Sequence, residues 1–455
     1  MEKNLTEGSV LHTVAIFSLP YFLSYFLQTL YGMADLYIIG QFEGVASTTA
    51  VSVGSQIMHM LTVMIVGLAM GTTVFIGKAV GAGDRKKAAE GIGNTAILFM
   101  TVSVVLTIAL IMLVRPITAL VSTPEEAVPG TIAYLTICFA GIPFITAYNV
   151  IGATFRGLGD SKSPMYFVAV ACMVNVGLDY LFMGGLHLGP AGAALGTTLS
   201  QAVSVVVSLV VILKRQTGIS LSRASLRPNR GAMGEILKIG VPIAFQDGLI
   251  QVAFMFITVI ANQRGLDDAA AVGIVEKIIS FLFLVPSSML STVSALSAQN
   301  IGAGKKDRAI LTLRYCIRIA VCFGLAAAFA MQFFAEPVVA LFTDAQTEAG
   351  ANVVRLGGQY MRGYVWDCVF AGIHFCFSGY FSAIGKSWIS FLHNLSAIVL
   401  VRIPGAYFMS RMFADTLLPM GLATASGSLL SAIICITAFH VLSKKEQTRP
   451  EVAIS

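Results

Sequence analysis

Gly81-Ala82-Gly83-Asp84-Arg85-Lys86-Lys87-Ala88 follows one long apolar run, and Gly302-Ala303-Gly304-Lys305-Lys306-Asp307-Arg308-Ala309 follows another, at an offset of 221 residues. Upstream of both copies, Ala50-Val51 aligns with Ala271-Val272 at the same offset, and Pro20 pairs with Pro242 after a one-residue slip. Downstream, Phe155-Arg156-Gly157-Leu158-Gly159-Asp160-Ser161 matches Phe381-Ser382-Ala383-Ile384-Gly385-Lys386-Ser387, and Gly192-Ala193-Ala194 matches Gly421-Leu422-Ala423. The chain is therefore a duplication, divided at the basic stretch from Lys214 to Arg230 into a first half, 1–222, and a second, 223–455.

What is duplicated follows from composition. Of 455 residues, 56% are hydrophobic and 11% charged, with a mean hydropathy of +0.82. Soluble proteins carry about 25% charged residues, so this chain lacks the polar surface to coat a water-soluble globule. Apolar runs long enough to cross a bilayer, which takes about 20 residues, lie near 11–39, 48–78, 89–114, 127–155, 163–184, 190–213, 233–261, 268–299, 309–334, 350–381, 388–409 and 419–443. The sequence predicts an all-α polytopic membrane protein of twelve transmembrane helices.

Charge fixes the sidedness. With the N-terminus inside, 21 of the 29 Lys and Arg residues fall in inner segments and only Arg115, Arg264 and Arg411 in outer loops, as basic residues are retained on the cytoplasmic side. Both termini are expected in the cytoplasm. The first apolar run has neither a basic leader nor a small-residue cleavage site, so it reads as a retained helix. Six helices per copy is an even number, so the copies enter from the same side as a parallel repeat, and two such lobes make a cleft whose access can alternate.

Charges inside apolar runs cost roughly 2.5–3.5 kcal/mol each on insertion scales, which makes Asp35, Asp179, Asp247, Glu276 and Asp367 the first functional candidates; the competing reading is an ion pair or a neutral, hydrogen-bonded acid. Asp35 and Asp179 share a depth near the outer end. Asn175 lies one turn before Asp179 on the same face, and Thr197, about 10 Å into its helix at about 1.5 Å per residue, reaches the same level. Carboxylates with an amide and a hydroxyl suit a hard cation such as Na⁺. Two carboxylates crowded together out of water equally suit a shared proton.

Other signals are weaker. The Gly157 to Ser163 stretch lacks the Gly before Lys162 that a phosphate loop needs. Cys138, Cys172, Cys316, Cys322, Cys368, Cys376 and Cys435 form no CxxC pair, and the six histidines show no metal-ligand spacing. No metal is expected beyond Na⁺ at the four N-lobe residues, no cofactor, and no nucleic-acid partner. Abundant Met and Phe suit either a promiscuous pocket or lipid contact.

Taken together, the first helix from Pro20 to Asp35, the paired Gly-Ala-Gly loops, the Arg156 to Asp160 run, and Asn175 and Asp179 followed by Gly192-Ala193-Ala194 resemble the bacterial multidrug and toxic compound extrusion (MATE) transporters over nearly the whole chain. The resemblance is closest to the DinF-like branch, where Asp35, Asn175, Asp179 and Thr197 would match the cation-binding group. It implies export of cationic, amphipathic drugs against H⁺ or Na⁺ by a monomer in the bacterial cytoplasmic membrane. In the NorM-like branch acids on the seventh and tenth helices take part, which adds Asp367 and, offset along its helix, Asp247. Glu276 and the counter-charge Arg402 complete a candidate substrate cleft. A flippase for lipid-linked sugars is the alternative. A membrane-embedded enzyme is disfavoured, since no nucleophile and base pair is present, and the two-lobe repeat disfavours a channel.

Overall fold

The computed structural model describes residues 5–214, 225 and 227–447. Every regular element among them is helical: α1 (Val10–Phe42), α2 (Val45–Gly81), α3 (Arg85–Leu120), α4 (Val128–Ala140), α5 (Ile142–Gly157), α6 (Lys162–Asp179), α7 (Gly189–Lys214), α8 (Arg230–Asn262), α9 (Leu266–Leu282), α10 (Leu284–Gly302), α11 (Lys306–Ala340), α12 (Glu348–Tyr364), α13 (Asp367–Ala383), α14 (Ser387–Ala397), α15 (Ile403–Met412) and α16 (Leu418–Gln447).

Ten helical stretches among the described residues are long and apolar enough to cross a membrane. The bent pair α4 and α5, which meet at 49° around Gly141, makes an eleventh. The remaining span, expected at 350–381, consists of two 17-residue helices separated by Val365 and Trp366. Its first half carries Arg355 and Arg362, and Arg362 pairs with Glu336 of α11 at 3.0 Å. Polarity and the break explain why this span fails a test of length and hydropathy. The count of twelve holds. Outward faces are apolar, as in the i, i+4 row Leu325, Phe329 and Phe333 of α11, which lipid, not water, accommodates.

Two spans are interrupted by π-helical turns, one from Tyr180 to Gly185 directly after α6, the other from Ile398 to Arg402 between α14 and α15. They occupy corresponding spans of the two repeats, the fifth and the eleventh. Turns of this kind concentrate at functional positions.

The chain forms two compact units, one of Met1–Gly248 with Ala295–Ala309, the other of Leu249–Ser294 with Ile310–Ser455. The division expected at 222/223 lies outside the described residues. The compact units part elsewhere, within α8, α10 and α11, so each of these helices belongs partly to one unit and partly to the other. In unit 1 the core includes Ile38, Ile39, Leu135, Phe139 and Ile142, with a second cluster around Phe75, Ile76 and Ile236. The core of unit 2 gathers around Ile279, Tyr360, Met361, Tyr364 and Met420.

The repeated motifs have physical reasons. Gly83 and Gly304 take φ of +73° and +74°, and Gly159 and Gly385 take +90° and +77°, the left-handed conformation that ends a helix and that side chains resist. Asp84 caps α3, accepting from the Lys87 backbone N–H at 2.8 Å. Asp160 caps α6, accepting from the N–H of Lys162 and of Ser163, each at 3.0 Å, and from the Ser163 hydroxyl at 2.6 Å. The Arg156 to Ser161 run is thus a helix stop and start.

Within unit 1, α2 and the last turns of α10 cross at backbone contact. A Cβ on Gly81 would overlap the carbonyl of Gln299, and one on Gly302 would overlap that of Lys78. The loop after α10 and the first turn of α11 also tie down the N-terminal segment: Lys305 donates to the Thr6 carbonyl at 2.9 Å, and Arg308 donates to the carbonyls of Gly8 and Glu7 at 2.7 and 2.6 Å. Gly81→Val or Gly302→Val should force these backbones apart and destabilise the protein by about 1–3 kcal/mol, read as a lowered melting temperature of the purified protein. Gly32→Ala, where nothing lies within 4 Å, should not lower it.

Candidate functional site

α1 is an apolar helix with one polar stripe. Tyr21, Ser24, Gln28, Tyr31 and Asp35 recur at spacings of three and four, so all five lie on one face. Pro20, at the start of the stripe, cannot donate into the helix ladder, and Ser24 donates its hydroxyl to the Pro20 carbonyl at 2.7 Å. Facing helices carry matching stripes: Asn175 and Asp179 on α6, and Thr197, Gln201, Ser204 and Ser208 on α7, all buried. A polar seam thus runs through the otherwise apolar interior of unit 1.

Near one end of that interior sit the four residues singled out in the sequence. Asp35 is 4% exposed, Asn175 1%, Asp179 0% and Thr197 9%. Thr197 Oγ1 donates to Asp35 Oδ2 at 3.2 Å, and the Asp35 carboxylate also interacts with Asp179 and Asn175. Among the described residues neither acid has a basic partner. Asp35 Oδ1, both Asp179 oxygens and both amide atoms of Asn175 lie buried without a protein hydrogen bond. Each such atom costs about 1–3 kcal/mol if left alone, so the cluster calls for a cation or shared protons. The donor set fits both. Its oxygens suit a hard monovalent cation, and two neighbouring carboxyl groups suit proton sharing.

The sequence reading missed how this closeness is made. α6 and α7 approach because residue 196 has no side chain: a Cβ there would overlap the Asp179 carboxylate. The signal was present as the second glycine of Gly192-Ala193-Ala194-Leu195-Gly196. The α1 stripe was also missed, although a period of three and four polar residues within an apolar run is legible. Its far end borders a cavity of about 20 Å³, lined by Tyr21, Ser24, Gln28, Tyr148, Asn149 and Arg156 among others, room for roughly one water.

Asp247, Glu276, Asp367 and Arg402, expected to line one substrate cleft, are divided between the two units. Asp247 belongs to unit 1, half-buried, its carboxylate 2.8 Å from where a Gly67 Cβ would stand. The other three belong to unit 2. Asp367, wholly buried, opens α13 directly after the break in the tenth span, where a helix N-terminus favours negative charge. Arg402, 6% exposed, closes the π turn of the eleventh span and donates from Nη2 to Asp367 Oδ2 at 2.5 Å and to Ser428 Oγ at 3.1 Å, and from Nε to the Thr424 carbonyl at 3.2 Å. Glu276 accepts from the Thr258 hydroxyl at 3.2 Å. His393 is held between Ser378 at 3.0 Å and Ser431 at 3.2 Å. No group of three or more His, Cys, Asp or Glu residues is placed for a metal ion among the described residues.

The MatE family model matches this chain twice, over residues 20–181 and again over 242–408, once in each copy of the repeat. The chain belongs to the MATE family. Among its relatives are the probable multidrug resistance proteins YpnP of Bacillus subtilis, 28% identical with 88% of each chain covered, and NorM of Thermotoga maritima, 25% identical with 85% of this chain and 83% of that one. A crystal structure of MATE in complex with MaL6 superimposes with a TM-score of 0.90 at 22% identity, over 98% of this chain and 99% of the other. A MOP superfamily transporter from Pyrococcus furiosus gives 0.91 at 22% identity over 98% of each; a different function is suggested for that protein by the reverse polarity of its binding pocket. These structures share the MATE fold: twelve helices in two six-helix lobes. The protein is a multi-pass membrane transporter and not an enzyme.

Gly196→Ala should displace the Asp179 carboxylate and lower transport in reconstituted vesicles as far as Asp179→Asn is expected to lower it. Gly177→Ala on α6, with nothing within 4 Å of the added carbon, should transport normally.

Proposed function

We propose that this MATE protein is a secondary antiporter of the DinF-like branch that expels cationic, amphipathic compounds from a bacterial cell in exchange for H⁺ or Na⁺, with Asp35, Asn175, Asp179 and Thr197 as its coupling site. One observation carries the reading: two acids are buried together in unit 1 without a basic partner among the described residues. Such a pair accepts positive charge from solution, and the free energy of an ion moving down its gradient is available only to a protein that binds the ion and releases it. The multidrug names of its relatives support the substrate class, and the excess of basic residues in loops on one side supports cytoplasmic termini in the cytoplasmic membrane. The transporter is taken to work as a monomer. Lipid-linked sugar flipping gains no support from unit 1, whose buried charges at this level are acids.

Coupling follows from charge balance. With a cation or proton bound, the acid pair carries one negative charge fewer, and a conformational change that closes the site off from water is less costly. Unbound, the charged pair favours whichever state admits water and ions. Substrate and coupling ion then shift the same equilibrium in opposite directions.

The test is efflux of a fluorescent cation by everted vesicles with pH and Na⁺ gradients imposed separately. One gradient should drive transport, and Asp35→Asn or Asp179→Asn should abolish it while the protein still inserts. Dependence on neither gradient would overturn the antiporter reading. Under Na⁺ coupling Thr197→Val removes a neutral oxygen ligand and should weaken the apparent affinity for Na⁺ by roughly ten- to a hundredfold. Asn175→Leu should act in the same direction. Under Na⁺ coupling both changes appear in the Na⁺ dependence; under H⁺ coupling they displace the pH profile.

A further inference from the structure

The repeat carries the Asn175–Asp179 stretch of the fifth span onto the neighbourhood of Arg402 in the eleventh, and both lie against a π-helical turn. It carries Thr197 of the sixth span onto the stretch of α16 from Thr424 to Ser428, whose carbonyl and hydroxyl hold Arg402. It carries Asp35 of α1 to the region of Thr258 on α8, whose hydroxyl donates to Glu276. The same three spans build both places. Unit 1 has acids there with no positive partner among the described residues, and unit 2 has a guanidinium.

We propose that Arg402 is a built-in cation: in unit 2 it permanently fills the role that, on the reading of Asp35 and Asp179 as the coupling site, unit 1 leaves to an ion taken from solution. Its positive charge faces the Asp367 carboxylate at 2.5 Å and acts on Glu276 as well. Around it, Asp367 Oδ1, Glu276 Oε1 and the hydroxyls of Tyr360 and Tyr364 are buried oxygens without a protein hydrogen bond, a donor set as rich in oxygen as that of unit 1. What distinguishes the two places is the side chain that ends the π turn of the eleventh span. The positive charge in unit 2 is tethered, so this lobe does not exchange ions during the cycle, and the ion-to-substrate ratio is set by unit 1 alone. Asp367 and Glu276 are then counter-charges that position Arg402.

Removing the tether should uncover a second cation site. The full-length protein carrying Asp35→Asn and Asp179→Asn, which lacks the acids of unit 1, should bind no Na⁺ in equilibrium dialysis at alkaline pH. Adding Arg402→Ser should create a site for one cation, read as bound Na⁺ or as one extra proton taken up between alkaline and neutral pH. Adding Asp367→Asn should then remove it. The proposal is overturned if the Arg402→Ser protein binds neither ion, if its binding survives Asp367→Asn, or if the starting variant already binds an ion that Asp367→Asn abolishes. Because unit 1 is silenced throughout, failure here is separate from failure of the coupling site, which shows instead as unaltered ion binding when Asp35 and Asp179 are replaced in the wild type. Where Arg402→Ser does not fold, the charge-neutral pair Asp367→Asn with Arg402→Gln decides: it should keep the wild-type number of ions exchanged per substrate, and a fall in that number overturns the proposal.

Discussion

A full charge inside hydrocarbon is tolerated only when something answers it, and in this protein the answer differs between the two halves. Desolvation of a carboxylate near a helix centre opposes insertion by several kcal/mol, and the two remedies are a fixed partner or a mobile one. Asp367 has the first in Arg402. Asp35 and Asp179, set side by side with a threonine hydroxyl donating to Asp35, have no basic partner among the described residues. The polar stripes on α1, α6 and α7, the glycine that lets α6 and α7 close up, and the π turn behind Asp179 surround this pair of acids in the interior of unit 1.

Most of the architecture is written in the sequence because the bilayer imposes a single length scale and a single charge rule. The spans read from apolar runs coincide with the helical stretches to within a few residues. What those runs do not reveal is where a span breaks. Trp366 and Val365 look like any other apolar residues, and the interruption between α12 and α13 arises from packing in unit 2. The boundary between compact units escapes the sequence for a related reason: α8, α10 and α11 are unbroken helices, and nothing local in them marks the residue at which their contacts change partner.

For the site, depth counting was enough to bring Asp35, Asn175, Asp179 and Thr197 together, since helix rise is constant and each lies a countable distance from a span end. For Asp247, Glu276, Asp367 and Arg402 the same counting gives less. Depth alone says nothing of rotation about the helix axis or of which bundle a face turns towards, and Asp247 packs in a different unit from the other three. Arg402 could be recognised as a counter-charge, but the choice of Asp367 over Glu276 depends on the π turn, which rotates the residues after it relative to a regular helix.

The crossing of α2 and α10 has a property beyond its tightness. Gly81 meets Gln299 while Gly302 meets Lys78, and at the repeat offset of 221 Gly302 is the copy of Gly81 and Gln299 the copy of Lys78. A patch that touches its own duplicate reciprocally is the mark of an isologous contact, the kind through which two identical chains assemble about a two-fold axis. A single six-helix ancestor bearing this patch would already have owned a self-complementary surface, and its two copies, inserted in the same orientation, could have met there before one gene encoded both.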